Sequence, residues 1–430
     1  MSLRRRLAHV RTRCVRWFFA HFFRLLIGAI SVSEWGVAWW LLDDRLPVAH
    51  GWQLSLHLCG PFVIYLINRQ LVAAAQRQRR DHRNPVGTMP RLYYAVAFTS
   101  LFCFLFLLAT GALWAATKVF LEALTVEART AHAGMRMASS LDGVFQWLAN
   151  AGMTVIALAF GYGYTVGQLR LKVTRLRLPL RNLPPALAGL QIVQISDIHI
   201  GQNLDREQLE RFVACVNEQR PDLICITGDI VDAPSADVDA FLPALTSLQA
   251  TYGVVAILGN HDHYAGAERV EAILRERTPF IVLRDQQRTL EIRGVPVRVI
   301  GLDDRGRDWA RGVVADAYLR DAVATVPDGA PVLLLSHRPD VFPQAAAAGV
   351  ALTLSGHTHG GQIAVPWFNR RPRNLAEFIT DFDRGLFERD GAYLYVNSGL
   401  GVTAQRIRLC TPREITVIEV EHAAAAARAA

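Results

Sequence analysis

Cysteine is sparse in this chain and never paired. Cys14, Cys59, Cys103, Cys215, Cys225 and Cys410 are widely scattered and no C-x-x-C occurs. That argues against a cysteine-zinc site or a disulfide framework and suits a reducing compartment. Lysine is nearly missing. Lys118 and Lys172 are the only two in a Lys+Arg total of 46. A formal charge of +8 can mean nucleic acid, but here the arginines cluster beside apolar spans. The charge therefore points to membrane topology, and no nucleic acid is expected. No small-residue cleavage site follows the first apolar run, so a removed leader is not indicated.

The apolar half of the 430 residues is spread unevenly. Residues 1–16 carry Arg4, Arg5, Arg6, Arg11, Arg13 and Arg16 and read as a basic cytoplasmic N-terminus. Four apolar stretches follow within 17–167, at about 17–42, 52–75, 92–114 and 144–167. Each suffices to cross ~30 Å of hydrocarbon as a helix of roughly 20 residues. The first is imperfect. Arg24 can snorkel to the near interface, whereas Glu34 is costly in lipid and should face other helices or sit near the far headgroups. Pro61 suggests a kink in the second.

The flanks set an expected orientation. Arg77, Arg79, Arg80, Arg83 and Arg91 lie between spans two and three, and Arg170, Lys172, Arg175, Arg177 and Arg181 follow span four. The other two loops are poorer in basic residues. The positive-inside rule then puts the N-terminus and everything after span four in the cytoplasm.

Residues 168–189 read as a linker and first strand. Leu169 to Leu178 alternate polar and apolar, with arginines that can reach anionic headgroups. From Leu190 to about residue 421, short apolar runs alternate with helical patterns. Strand-like runs are Ile192–Ile195, Leu223–Ile226, Val254–Leu258, Val295–Ile300, Val332–Leu335, Ala351–Leu354 and Tyr393–Val396. Helical faces lie around Leu209–Val216, Val238–Leu245 and Val270–Leu274. This is an α/β domain with a substantial core. The alanine-rich end, 422–430, is expected to be an unstructured tail.

Polar residues recur just past these strands. Asp197 and His199 follow the first run, Asp229 and Asp232 the next, then Asn260, His261 and Asp262. His337 follows Leu335, and His357 and His359 follow Leu354. Open α/β sheets bind ligands at the carboxyl ends of their strands. One such residue is a common turn or cap, but five coincident cases point to a shared metal site. Histidine, carboxylate and amide donors without thiolate suit Mn²⁺, Fe²⁺/Fe³⁺ or Zn²⁺. Two such ions about 3.5–4 Å apart clamp a phosphoryl group and activate water at neutral pH.

The blocks Asp-X-His, Gly-Asp-X-X-Asp, Gly-Asn-His-Asp, His and Gly-His-X-His resemble the calcineurin-like metallophosphoesterase superfamily over about residues 188–420. The resemblance implies a four-layer α-β-β-α sandwich of two mixed sheets between helices, preceded here by the all-α four-helix region. It also implies a hydrolase with two divalent metal ions. Asp197, His199, Asp229 and His359 would bind the first, and Asp229, Asn260, His337 and His357 the second, with Asp229 bridging. His261 would contact phosphate and serve as general acid. Asp232 and Asp262 would orient the histidines.

Ser336-His337-Arg338-Pro339-Asp340, His359-Gly360-Gly361-Gln362, Asn397-Ser398-Gly399-Leu400-Gly401, Arg408 and Pro412-Arg413-Glu414-Ile415 resemble the membrane-associated branch of YkuE-like bacterial phosphoesterases. The expected function is hydrolysis of a phosphoester or pyrophosphate in a lipid-linked or membrane-borne substrate, at the cytoplasmic face of the bacterial inner membrane. Membrane lipids are the expected surroundings. Two alternatives stand beside it. One is a membrane sensor or scaffold with a regulatory phosphoesterase domain. The other is a pyrophosphatase of the lipid A type acting on a nucleotide-linked acylated sugar. An insert at 363–390 follows the paired histidines and carries Trp367, Phe368, Arg370, Arg371, Arg373 and Phe378. Trp367, Arg370 and Arg371 are candidate substrate contacts, as headgroup or membrane grips. A solvated loop is the plain alternative.

Overall fold

The computed structural model describes residues 24–42, 50–80, 88–125, 131–201, 203–234, 236–304, 316–327, 329–367 and 370–422. The basic N-terminus, Phe368 and the alanine-rich tail after His422 lie outside them. The chain divides into two compact units, Met1–Gly161 and Tyr162–Ala430.

The first unit is helical. Helices α1 (Arg24–Leu42), α2 (His50–Arg80), α3 (Thr88–Thr125) and α4 (Ala131–Thr165) each contain a window long and apolar enough to cross a membrane. Helices α2 and α3 run past the limits expected from hydropathy at both ends, and α4 at its start. Hydropathy reports only the apolar part of a helix, and polar turns such as Gln76–Arg80 continue the backbone hydrogen bonding beyond it. Helix α2 continues through Pro61.

Close approach of the helices uses small residues, as lipid-facing helices must pack without a hydrophobic drive. A Cβ on Gly36 would run into the Phe104 ring, one on Gly60 into Trp35 and one on Gly152 into Phe106. Glu34 does face other helices: Asn68 Nδ2 on α2 donates to its Oε2 at 2.7 Å and to Ser31 Oγ at 2.9 Å, while Tyr93 OH on α3 donates to Asn68 Oδ1 at 2.8 Å.

The second unit has four layers. One sheet has the order β1 (Leu171–Leu180), β14 (Arg413–His422), β2 (Leu190–Ile195), β3 (Leu223–Thr227), β4 (Val254–Ile257), β5 (Ile281–Val282). The other has the order β12 (Gly385–Arg389), β13 (Ala392–Val396), β9 (Leu352–Ser355), β8 (Val332–Leu335), β7 (Val295–Gly301), β6 (Gln286–Ile292). Both are mixed, with β2–β3–β4 and β7–β8–β9 parallel.

The sheets face each other across a core that includes Ile192, Leu223, Val255, Val299, Leu335 and Leu354. The outer face of the first is covered by α5 (Arg206–Glu218), α6 (Leu242–Thr246) and α7 (Asn260–Arg277), and that of the second by α8 (Ala317–Ala324) and α9 (Phe342–Ala347). Strands buried on both faces read as continuous apolar runs, which is why β2, β3, β4, β8 and β9 stand out in the sequence. This is the expected α-β-β-α sandwich.

Strand β1 starts the sandwich, pairing parallel with β14 along its whole length. The arginines on it serve the domain. Arg175 donates to Gln219, Arg177 lies near Glu419 and Glu421, and Arg181 donates to the carbonyl of Asp390. The insert after His359 is a hairpin, β10 (Ala364–Trp367) with β11 (Arg370–Asn374), followed by a tight turn at Leu375–Phe378.

Candidate metal centre

The carboxyl ends of β2, β3 and β4 in one sheet, and of β8 and β9 in the other, meet at one rim. Gln194 ties the sheets there, its Nε2 donating to Thr227 Oγ1 at 3.0 Å and to the carbonyl of Ser355 at 2.8 Å. The chain must turn sharply as it leaves each strand, and the ligand candidates themselves make the turn. Asp197, His199, Asp229, His357 and His359 all have positive φ, between 49° and 72°. That region costs a non-glycine residue roughly 1 kcal/mol or more, and such strain collects at functional sites. It aims their side chains inward. Glycines flank them because no Cβ fits: one on Gly259 would run into Asp229, and one on Gly356 into Asp197 and Ser196.

Two donor groups, linked by a third, result among the described residues. Asp197, His199 and His359 converge on one side, Asp229, His337 and His357 on the other, and His199, Asp229 and His261 link them. His199 Nε2 lies 2.9 Å from His359 Nε2 and 3.6 Å from Asp229 Oδ2, while His337 Nε2 lies 3.2 Å from the same Asp229 oxygen. Asp229 therefore stands between the two groups. Six of the seven candidate ligands are brought together in these groups; the seventh, Asn260, starts α7 next to His261, whose backbone N–H donates to Asp229 Oδ1 at 2.7 Å.

The histidine tautomers are set from behind. His337 Nδ1 donates to the Thr227 carbonyl at 2.7 Å and His199 Nδ1 to Asp232 Oδ1 at 3.1 Å, so each Nε2 is left with its lone pair facing the centre. Burial, then the charges of nearby His199 and Arg408, holds the His359 ring well below the usual imidazole range; burial and His337 do the same for His357. Burial alone would push Asp229 up, but the charges of His337, His199 and His261 pull it well below the usual carboxylate range. Burial pushes Asp197 up.

These residues fit divalent cations. Asn260 Oδ1 and His337 Nε2 are buried with no hydrogen-bond partner among the described residues, an arrangement that leaves acceptors desolvated at a cost of about 1–3 kcal/mol each. A cation at either position satisfies both the orphaned atoms and the close-set carboxylates.

His261 differs from the ligands. It is partly exposed, at 24% of its side chain, with Nδ1 3.1 Å from Asp232 Oδ1 and its ring against His199 and Tyr264. Burial depresses it, but the hydrogen bond to Asp232 and the charge of Asp229 raise it to about 9. Asp232 thus orients two histidines, as expected.

Asp262 does not. It accepts from the backbone N–H groups of Gly259 (2.8 Å), Ile230 (3.1 Å) and Val231 (2.7 Å). It fixes the loop after Asp229 rather than a histidine ring, because the free amides of that loop and of the Gly259 cap are the donors that reach it. The insert also departs from expectation. Arg371 is held by Asp383 and donates to the Arg384 carbonyl, and Arg373 pairs with Glu377 at 2.7 Å. Arg371 therefore braces the hairpin. Trp367 is half exposed, and the Arg370 side chain lies outside the described residues.

One supporting residue had no physical signal in the sequence. Arg408, fully buried, donates to the carbonyls of Ser398, Gly399, Gly401, Thr411 and Pro412 and lies 3.4 Å from His359 Nδ1. It locks the loop behind His359. The last turn of α4 packs on the same segment: Arg408 N donates to the Gly163 carbonyl at 3.2 Å, and a Cβ on Gly167 would run into the Arg408 carbonyl.

Residues 190–361 match the model of the calcineurin-like phosphoesterase family. The chain is 31% identical over 284 residues to the uncharacterized metallophosphoesterase YkuE of Bacillus subtilis, covering 65% of this chain and 96% of that one. It is 27% identical over 278 residues to a transmembrane protein with metallophosphoesterase domain from Danio rerio, covering 63% and 62% of the two chains. A dimetal phosphatase crystal structure from Danio rerio matches 50% of this chain and 88% of its own, at 13% identity and a TM-score of 0.34. The intact ligand blocks and the near-complete match to YkuE establish that this chain belongs to the calcineurin-like phosphoesterase family, as a metallophosphoesterase preceded by four membrane-type helices.

Proposed function

We propose that the protein is a membrane-anchored, dinuclear metal-dependent phosphoesterase that hydrolyses a phosphoester or pyrophosphate bond in a lipid-linked or membrane-borne substrate. The observation that carries this is the pair of donor groups with Asp229 standing between them. In this reading Asp197, His199, Asp229 and His359 hold one ion, and Asp229, Asn260, His337 and His357 the other. When bound, two ions of the Mn²⁺, Fe or Zn²⁺ type polarise the phosphoryl oxygens and supply an activated water. The chain's own residues do the rest. His261, partly exposed beside the ligands, delivers a proton to the leaving oxygen through Nε2, while Asp232 at Nδ1 holds the ring in place. Asp262 and Arg408 keep the two ligand loops from relaxing their strained turns.

The lipid-linked substrate is supported by the chain's own connectivity: the fourth candidate span, Leu141–Leu169, runs into β1 with one residue between them. A substrate within reach of such a domain is one that resides in the membrane. The arginine-rich flanks support a cytoplasmic placement at a bacterial inner membrane. The test compares purified full-length protein with added Mn²⁺ on vesicle-borne phosphatidic acid and diacylglycerol pyrophosphate and on soluble p-nitrophenyl and bis-p-nitrophenyl phosphates. A higher kcat/KM for a vesicle-borne substrate supports the proposal. Faster hydrolysis of both soluble esters would sink the lipid-linked part and leave the phosphoesterase. A fluorescent protein fused after Ala430 should mature in the cytoplasm, and an exported, dark fusion would overturn the orientation.

A further inference from the structure

Large exposed apolar side chains are not spread over the catalytic unit. Among its described residues there are nine: Tyr162, Val166, Leu169, Tyr264, Val365, Trp367, Leu375, Phe378 and Leu386. All but Tyr264 fall in two segments, the end of the fourth candidate span and the insert that carries the β10–β11 hairpin. On the hairpin and the turn that follows it the exposure is high: 59% for Val365, 50% for Trp367, 63% for Leu375 and 82% for Phe378. A soluble surface seldom spends aromatic and branched side chains this way.

The two segments are neighbours through one stretch of backbone. Arg408 N donates to the Gly163 carbonyl, and Leu409, the next residue, exchanges bonds with the root of the hairpin. Its N–H donates to Gln362 O and its carbonyl accepts from Ala364 N, both at 2.9 Å. The hairpin therefore springs from the same segment on which the last turn of the candidate span is seated.

Its root is also rigid. Asn374 donates to Asp383 Oδ2 at 2.6 Å and caps the turn with Glu377, while Arg371 and Arg373 are paired with Asp383 and Glu377. Internal pairing of the charges lowers the cost of bringing them to a low-dielectric boundary. The apolar tips face outward from a fixed frame.

We infer that the β10–β11 hairpin and the Leu375–Phe378 turn form an interfacial anchor that seats in the headgroup and acyl boundary of the bilayer beside the metal centre. Trp and Phe at such a boundary, with arginine stems around them, are the side chains that partition there. The metal ligand His359 lies three residues before Gln362 at the hairpin root. Seating the hairpin thus brings a membrane-borne phosphoryl group to the ligand rim without leaving the surface. The inference rests on the membrane anchorage proposed above and is independent of the reaction.

The test uses the full chain in vesicles of phosphatidylethanolamine and phosphatidylglycerol, with the photo-crosslinker p-benzoylphenylalanine replacing Phe378, Leu113 on α3, or Glu276 on α7 in separate samples. Mass spectrometry should find phospholipid adducts at positions 378 and 113 and none at 276. Adding W367D and L375D to the 378 sample should abolish its adduct. An adduct at 113 without one at 378 overturns the anchor and leaves the membrane helices standing, whereas no adduct at either overturns both. A crosslink from 378 to a second protein chain would overturn the lipid assignment in favour of a self-association surface. An adduct at 276, or one at 378 that survives W367D and L375D, would show chance collision and also overturn it.

Discussion

Both units bury polar groups, and they treat them in opposite ways. In the helical unit Ser31, Glu34, Asn68 and Tyr93 close on one another across three helices. In the catalytic unit Asn260 Oδ1 and His337 Nε2 are buried without a partner, and five ligand candidates sit on strained backbone. A network that satisfies itself holds helices together. A cluster that leaves acceptors open and pays backbone strain is built around something else. Open acceptors gathered beside close-set carboxylates, rather than polar burial as such, mark the candidate site.

Breaking the open cluster should cost far more than breaking the closed one. Asp229→Asn removes the carboxylate that stands between the two donor groups, and hydrolysis of a soluble phosphoester should fall on the order of 10⁴-fold, with loss of bound metal. His261→Ala should cost about 10²–10³-fold in kcat while metal content, read by mass spectrometry, stays unchanged, since His261 is assigned to proton delivery. Asp232→Ala frees two histidine rings at once and should cost about 10–100-fold, with weaker metal retention during dialysis.

Asn68→Leu in the helical unit should lower thermal stability by about 1 kcal/mol and leave hydrolysis of soluble esters within about twofold, an interval set by the distance additivity of independent sites. A change as large as that of Asp232→Ala would show that the helices regulate the site, as the sensor alternative requires.

How the sequence relates to this division is instructive. The ligand types were legible because the strands that deliver them are buried on both faces and read as short apolar runs, each followed by an Asp, Asn or His. Their left-handed backbone was not, because only glycine announces a positive φ in sequence, and Asp197, His199 and His359 adopt it under tertiary constraint. The role of Asp262 was misread for a related reason. Its residue type suits a histidine partner, but the cap of α7 gives it the Gly259 amide and the loop after β3 those of Ile230 and Val231 instead. Strand β14 mixes Glu and Thr with Ile and Val and has no apolar run longer than Val417–Ile418, so its place in the first sheet is set by pairing with β1 and β2. Gly163 and Gly167 look like ordinary small residues of an apolar span until the Arg408 segment is seen against them.

The smallest effect lies just outside the metal centre. His263 donates to Asp303 at 2.7 Å, and that bond raises its protonation above the ordinary imidazole range. A raised histidine contributes stability that is fully present below about pH 6.5 and lost as pH climbs through the raised value. His263→Gln should therefore lower Tm more at pH 6 than at pH 9, with a difference worth roughly 1 kcal/mol at the lower pH. An equal loss at both pH values would show packing rather than charge.

The measurement that bears most directly on the central claim is a metal titration of the purified, metal-stripped full chain, with bound Mn²⁺ and phosphoester hydrolysis read in the same samples. The account predicts two equivalents per chain, hydrolysis rising as the second binds, and neither property in Asp229→Asn. Full hydrolysis in the stripped protein, or two equivalents still bound by Asp229→Asn, would contradict it.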